Sequence, residues 1–249
     1  MSLASFQRAL ADLAASPALC QAARHDPTVF DRYQPTDRER RRLEDVVRQR
    51  GLSTHCALYR VHRLTPLYAL LGCTCFLLGD RLEGLAEAFW AQQPESDLQH
   101  LPEVDRFAAF LRARLATGEL QDPYLEEVLA FEQALNELKL APEGPGAADG
   151  VGLWEDTALA LDPRVRLVTF QHDPAVLLGH IALESRPADP LPSSLYFLLI
   201  RIQGGRLSFE TIDPGLGEVA QTVKVGAAAD LSRDERMRLV EAGLAVACA

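Results

Sequence analysis

Residues 195–212 are LYFLLIRIQGGRLSFETI, the clearest structural signal in the chain. The first part, from Leu195 to Ile202, is almost continuously apolar, and Gln203-Gly204-Gly205 supplies turn residues. The last part, from Arg206 to Ile212, alternates apolar and polar side chains. This pattern predicts two antiparallel strands joined by a tight turn. We therefore expect a β-hairpin to be the centre of a small antiparallel sheet.

The segments around the hairpin indicate further strands and a closing helix. Residues 165–170 are rich in β-branched residues and predict a strand, and residues 218–225 alternate so that Val219, Val223 and Val225 share a face, which predicts a third strand. Residues 232–235 have the form of a capping box and predict a terminal helix. Residues 151–249 are therefore expected to form a small α+β domain.

The segment before this domain is predicted to be helical. Residues 141–150 contain two prolines and three glycines, which is typical of a linker. Before it, apolar residues recur at helical spacing, Thr36 opens a capping box with Glu39, and residues 52–78 predict two helices or one helix kinked at Pro66. Further helices are expected over 81–92, in a segment closed by Gly118, and after Asp122-Pro123. The expected fold class is α+β: an all-α helical bundle over 1–140, a linker and a small antiparallel-sheet domain.

Composition and charge exclude some classes of function. The 249 residues are 48% hydrophobic and 24% charged with a net charge of −10, which indicates a globular chain and argues against tight, non-specific binding of nucleic acid. Arginines at 38–50 are interleaved with acidic residues, which favours a solvated helix face. The five cysteines have no scaffold-like spacing, and the sequence shows no signal segment and no apolar run of bilayer length. We therefore expect a cytoplasmic protein that binds no membrane.

No residue pattern indicates catalysis. The chain lacks nucleotide-binding and hydrolase motifs, Cys73 and Cys75 are too close in sequence for a zinc knuckle, and His55 and His62 are two helical turns apart. His172 and His180 have no neighbouring residues that complete a ligand set. We therefore expect no catalytic residue, metal site or cofactor on this chain. An enzyme whose site is assembled from scattered residues is an open alternative.

The hairpin suggests peptide binding. Many peptide-recognition domains add an extended ligand as a strand to an open sheet edge, and a small sheet must leave edges. The alternative is an edge covered by the terminal helix. The residues that we expect to contact the peptide all lie in the hairpin: Tyr196, Phe197, Leu199, Arg201, Leu207, Phe209 and Ile212.

An ordered series of short motifs runs through most of the chain: Ala57-Leu58-Tyr59-Arg60-Val61-His62-Arg63, Leu77-Leu78-Gly79-Asp80, Phe89-Trp90, Phe107-Ala108-Ala109-Phe110-Leu111, Pro123-Tyr124-Leu125, Phe131-Glu132, Leu161-Asp162-Pro163-Arg164-Val165-Arg166-Leu167 and residues 195–202. In this order they resemble the MbnC/TglI-like family, formerly labelled a putative DNA-binding domain. Its members are partner proteins of multinuclear non-haem iron oxidases in the biosynthesis of ribosomally synthesised, post-translationally modified peptides. Family members often have asparagine after the Tyr-Arg pair, where this chain has Val61-His62.

The resemblance implies a division of labour with a partner enzyme. A helical domain would dock on a TIM-barrel iron oxidase as a heterodimer, with Tyr59, Arg60, Arg63 and Trp90 as docking residues, and the iron would belong to the partner. The sheet would capture the leader of a ribosomal precursor peptide by strand addition and present a cysteine for oxidation. The alternative is a DNA-binding transcriptional regulator that uses helices such as residues 36–50.

Overall fold

The computed structural model describes residues 3–92, 100–140, 159–224 and 230–247. The chain divides into two compact units, of which the first comprises Met1–Ala69 and Asp80–Phe110 and the second Leu70–Gly79 and Leu111–Ala249. The α+β fold class predicted from the sequence is confirmed. The predicted linker at 141–150 lies outside the described residues.

The first unit is helical. Its elements are α1 (Leu3–Ala15), α2 (Pro17–His25), a 3₁₀ segment (Pro27–Tyr33), α3 (Asp37–Arg48), α4 (Arg50–Leu70), α6 (Arg81–Gln92) and the first part of α7 (His100–Ala116). The predicted capping box begins α3: Glu39 Oε2 accepts from the Thr36 N–H at 3.0 Å and Thr36 Oγ1 accepts from the Glu39 N–H at 3.4 Å. Buried apolar side chains such as Leu13, Phe30 and Leu43 form one core cluster.

Proline does not interrupt α4. Of the two predicted alternatives, two helices are present: Pro66 lies inside α4, which ends at Leu70, and the break falls just before Gly72. The short helix α5 (Gly72–Leu78) follows. No single helix in the described ranges is long and apolar enough to cross a bilayer; α4 and α5 have that length and composition only when taken together.

The second unit contains both sheets. Its further elements are α8 (Leu125–Leu140), β1 (Leu159–Leu161), β2 (Val165–Phe170), α9 (Pro174–Ala182), β3 (Tyr196–Gln203), β4 (Arg206–Ile212), α10 (Pro214–Lys224), α11 (Arg233–Glu241) and β5 (Ala245–Ala247). The order β2-β3-β4 is antiparallel, and β1 pairs with β5. The predicted hairpin is confirmed: Gln203 pairs with Arg206, and Gly204 and Gly205 between them have φ of 56° and 74°.

The predicted third strand at 218–225 is wrong, because residues 214–224 form α10. Asp213 Oδ1 accepts from the Leu216 N–H at 3.1 Å, and Pro214 stands at the helix start. The apolar residues also follow a helical period, since Leu216, Val219, Ala220 and Val223 all contribute to the core. The third strand of the sheet is β2.

The helix before the predicted linker belongs with the sheet. The Phe131 ring on α8 lies 6.3 Å from the Phe170 ring on β2 and 5.9 Å from the Phe209 ring on β4. The second unit therefore includes α8 and begins before the predicted boundary at residue 140, because the sheet needs an apolar cover on this face. The helix begins at Leu125 instead of at Pro123, with the Tyr124 N–H bonded to Asp122 Oδ1 at 3.2 Å.

Candidate functional site

The seven predicted peptide-contact residues divide between the two faces of the sheet. Residues directly opposite in neighbouring strands share a face, and successive residues alternate. One face therefore carries Phe197, Leu199, Arg201 and Ile212, and it packs against α10 and α11 in a common core. The other face carries Tyr196, Leu207 and Phe209, and it is the face that α8 covers.

Burial limits which of these side chains reach a ligand. Phe197 and Leu199 are each 3% exposed and belong to the core under α10, whereas Phe209 is 51% exposed. The Arg201 guanidinium donates to the Ala242 carbonyl at 3.0 Å. A peptide lying along the hairpin would meet Phe209 and the outer backbone of β4, and the side chains of Phe197 and Leu199 would support the strand from inside.

A second open edge lies along β2. The two-residue turn makes Gln203 and Arg206 a hydrogen-bonded pair, so the odd-numbered residues of β3 bond to β4 and the even-numbered ones bond to β2. The Arg164 carbonyl, which accepts from the Ile202 N–H at 3.0 Å, follows this alternation. The register pairs Leu167 and Thr169 with odd-numbered residues of β3, so their N–H and C=O groups point away from the sheet.

These backbone groups face a groove of about 610 Å³ between β2 and α8. On the α8 side the wall includes Ala130 and Ala134, whose small side chains leave room beside the strand. Two ion pairs lie along the groove: Arg112 Nε with Glu126 Oε1 at 2.9 Å and Arg166 Nε with Glu137 Oε2 at 2.8 Å. All the lining residues belong to the second unit.

Side chains close the two ends of this edge. At one end the Val165 carbonyl accepts from Arg166 Nη1 at 2.8 Å. At the other end the Gln171 N–H donates to Glu127 Oε2 at 2.6 Å, and Glu127 Oε1 lies 2.8 Å from His172 Nδ1. The stretch that faces the groove is therefore Leu167 to Thr169, which offers two N–H donors and two C=O acceptors.

Lys224, at the end of α10, reaches the same edge. Its Nζ donates to the Leu167 carbonyl at 2.8 Å, and the residue lines the groove. Partial desolvation lowers the pKa of this ammonium, the Glu137 carboxylate opposes the shift, and the Arg166 guanidinium adds to it. The side chain as a whole is exposed, so it is able to leave the carbonyl without unfolding the helix.

The four predicted docking residues differ in accessibility. Arg63 is buried and bonds Glu103 Oε1 through Nε at 2.8 Å and through Nη2 at 2.6 Å. Its guanidinium carbon lies 5.1 Å from the centre of the Trp90 ring and 5.9 Å from that of Tyr59. Arg60 bonds both Glu83 and Glu87 at 2.7 Å. Arg63 is therefore a core residue of the first unit, and Arg60 is held in a surface ion-pair network.

The exposed surface of α4 is a different set. Leu58, Val61 and Tyr68 are 60%, 59% and 57% exposed, and they lie along one side of the helix at spacings of three and seven residues. A shallow cavity of about 480 Å³ is lined by Val61, Leu64, Thr65, Tyr68 and Ala69. We call Leu58, Val61 and Tyr68 the α4 stripe. Large exposed apolar patches mark interaction sites.

Within the described ranges, no group of three or more His, Cys, Asp or Glu side chains is arranged to hold a metal ion. Cys73 and Cys75 lie at α5, where Glu132 accepts from the backbone N–H of Cys73 at 2.7 Å and of Thr74 at 2.8 Å. Burial raises the pKa of both thiols to about 12, which is the opposite of an activated nucleophile. The absence of a cofactor from this chain stays a prediction.

The hairpin signal did not identify the β2 edge. Residues 165–170 were predicted as a strand, but sequence alone gives no strand order, so Leu167 and Thr169 were not distinguished from inner positions. The sequence predicts a strand at Lys224, where the structure has the end of α10, and Ala130 and Ala134 give no signal apart from helical spacing. Neither a model of a known protein family nor a curated protein matches this sequence.

Proposed function

We propose that this chain is a non-catalytic, cytoplasmic accessory subunit that binds the leader of a ribosomally made precursor peptide and presents it to a partner multinuclear iron oxidase. The observation that carries the proposal is the outer edge of β2, where Leu167 and Thr169 turn their backbone groups into a groove. An extended peptide satisfies such groups by adding a strand.

The β2 edge fits a peptide better than the β4 edge. A strand added to β2 lies beside α8, so its side chains gain a wall that includes Ala130 and Ala134. Most residues along β4 are exposed, and a peptide there would rest chiefly on backbone hydrogen bonds and the Phe209 ring. Backbone bonds supply affinity in strand addition, and contacts to alternate side chains supply specificity.

The α4 stripe supports the proposed docking on a partner enzyme. A helix that leaves three large apolar side chains in water is suited to bury them against another protein. Arg60 and Arg63 of α4 are paired with glutamates of the first unit, so the apolar stripe, and not their charge, supports docking. The resemblance of the sequence to partner proteins of iron oxidases suggests that this other protein is a multinuclear iron oxidase.

Proline substitutions distinguish the two edges. Thr169 on β2 and Thr211 on β4 both point their N–H groups outward, and proline is tolerated at such positions of an edge strand. Peptides selected on the unmodified chain from a display library of random short peptides are titrated against Thr169→Pro and Thr211→Pro. We expect Thr169→Pro to weaken binding about tenfold or more, because a backbone hydrogen bond is lost and the proline ring obstructs the added strand.

The matched variant makes this result interpretable. Thr211→Pro should bind as the unmodified chain does, and both variants should keep its circular dichroism spectrum. Loss of binding only in Thr211→Pro would place the peptide at β4 and would contradict peptide binding in the groove beside β2. Unchanged binding in both folded variants would overturn strand addition at either edge.

The docking half of the proposal is tested by co-expression with a TIM-barrel multinuclear iron oxidase and size-exclusion chromatography. We expect a complex that contains iron, and we expect Val61→Glu to disrupt it because a carboxylate replaces the centre of the α4 stripe. Leu183→Glu alters a side chain that is 80% exposed in the second unit and serves as the control. Equal loss of the complex in both variants, or in neither, would contradict docking through α4.

A further inference from the structure

The position of Lys224 restricts the chemistry of a peptide bound at β2. Its ammonium donates a hydrogen bond of 2.8 Å to the Leu167 carbonyl. A strand added at β2 needs the same carbonyl as an acceptor. Strand addition at this edge therefore exchanges one donor for another: a backbone N–H of the peptide takes the carbonyl, and the ammonium moves away from it. The exchange leaves a cation in the groove.

The groove offers this cation little compensation. The Glu137 carboxylate partly opposes the lowering of the Lys224 pKa, but Glu137 is itself paired with Arg166 at 2.8 Å. The Arg166 guanidinium itself acts against the charged form of Lys224. A displaced ammonium beside a guanidinium is stabilised by a new anion. An acidic residue of the incoming peptide would supply that anion.

The register determines where on the peptide the anion belongs. In an antiparallel strand, the residue that donates its N–H to the Leu167 carbonyl lies directly opposite Leu167, and its side chain projects from the same face. That face packs against α10, since Leu167 shares a core cluster with Ala220 and Val223. Lys224 is the last residue of α10. An acidic side chain opposite Leu167 therefore lies on the same side of the sheet as the displaced ammonium.

Resting on the proposed peptide-binding function, we infer that the chain selects peptides with aspartate or glutamate at the position opposite Leu167. The neighbouring peptide positions project toward α8, where Glu126, Glu127 and Glu137 line the groove. Each of these carboxylates lies against a basic side chain, Arg112, His172 and Arg166 respectively. The preferred ligand is an extended segment with one acidic residue at the position opposite Leu167.

The test compares peptides selected from one random display library on the unmodified full chain and on three of its variants. On the unmodified chain, one position of the aligned peptides should be enriched in aspartate and glutamate. Lys224→Glu should replace that preference with lysine and arginine at the same position, and Lys224→Met should remove it. Lys139→Glu reverses an exposed charge on α8 that does not line the groove, so it should keep the acidic preference.

Thr169→Pro separates this inference from the function on which it rests. Peptides that require the β2 edge but show no acidic preference, or whose preference is unchanged by Lys224→Glu, overturn the role of Lys224 and leave strand addition intact. Selected peptides that bind Thr169→Pro as well as the unmodified chain overturn both. An acidic preference that inverts in Lys224→Glu and follows the β2 edge supports the inference.

Discussion

A Cβ atom on Gly217 would lie 2.2 Å from two carbon atoms of the Phe197 ring. No side chain fits that space, so the backbone of α10 rests directly on the ring of the central strand. This contact fixes α10 on one face of the sheet. The same helix ends at Lys224, whose Nζ reaches the Leu167 carbonyl at the edge of β2.

Gly217→Ala is expected to lower the free energy of unfolding by roughly 1–3 kcal/mol, because the added methyl group forces the helix or the Phe197 ring to move. Urea denaturation measures the change. Gly179→Ala is the control: it adds a methyl group inside α9 where nothing lies within 4 Å, and removing a helical glycine should raise stability by roughly 0.5–1 kcal/mol. Equal effects of the two substitutions would show that the Phe197 contact is unimportant.

Local signals in the sequence predicted most elements of the second unit. The hairpin, the strand at 165–170 and the Ser232 capping box depend on turn residues, alternation and a cap within a few positions of each other, and all three are present. The strand predicted at 218–225 failed because Val219 and Val223 fit both a two-residue alternation and one side of a helix. Asp213 and Pro214 before them favour the helix.

The candidate site depends on information that local patterns do not contain. Which edge of the sheet is open follows from strand order, and β2 becomes an edge only because β3 pairs with both of its neighbours. The ammonium at Leu167 requires α10 to cross the sheet. Arg63 illustrates the same limit, since its motif suggested a surface residue and its partner Glu103 is 40 positions away in the sequence.

The ion pair between Arg63 and Glu103 gives a second prediction about stability. Both side chains are 3% exposed, so removing the Arg63 charge leaves the buried Glu103 carboxylate with the longer contact to Arg106 Nη2 at 3.3 Å. Arg63→Met should therefore lower the free energy of unfolding by about 3–5 kcal/mol. Arg60→Met removes an arginine whose partners Glu83 and Glu87 are largely exposed, and it should cost no more than about 1 kcal/mol. Similar costs for both variants in urea denaturation would contradict this difference.

Thiol reactivity provides a third prediction. Cys20 Sγ donates to the Leu13 carbonyl at 2.8 Å and lies 3.7 Å from Cys56 Sγ. Burial and the neighbouring Cys56 raise the pKa of Cys20 to about 12, and burial raises that of Cys75 to about 12. The thiolate is the reactive species, so both residues should resist iodoacetamide at about pH 8 in the folded protein and react in guanidinium. Rapid labelling of folded protein, located by peptide mass spectrometry, would contradict this.

The carboxyl group of Glu132 predicts a pH dependence that a substitution isolates. Burial raises the pKa of Glu132 above its ordinary value of 4.5, although hydrogen bonds from Thr74 and Cys73 oppose the shift. The folded state therefore holds this proton more tightly than the unfolded state, and the stabilising contribution falls as the pH rises from about 4.5 through the folded pKa. Glu132→Gln removes this titration, so the stability advantage of the unmodified protein over the variant should shrink over that range. Urea denaturation of both proteins at several pH values measures the difference. An advantage that grows with pH would mean that the two backbone hydrogen bonds at α5 outweigh the burial of the charge.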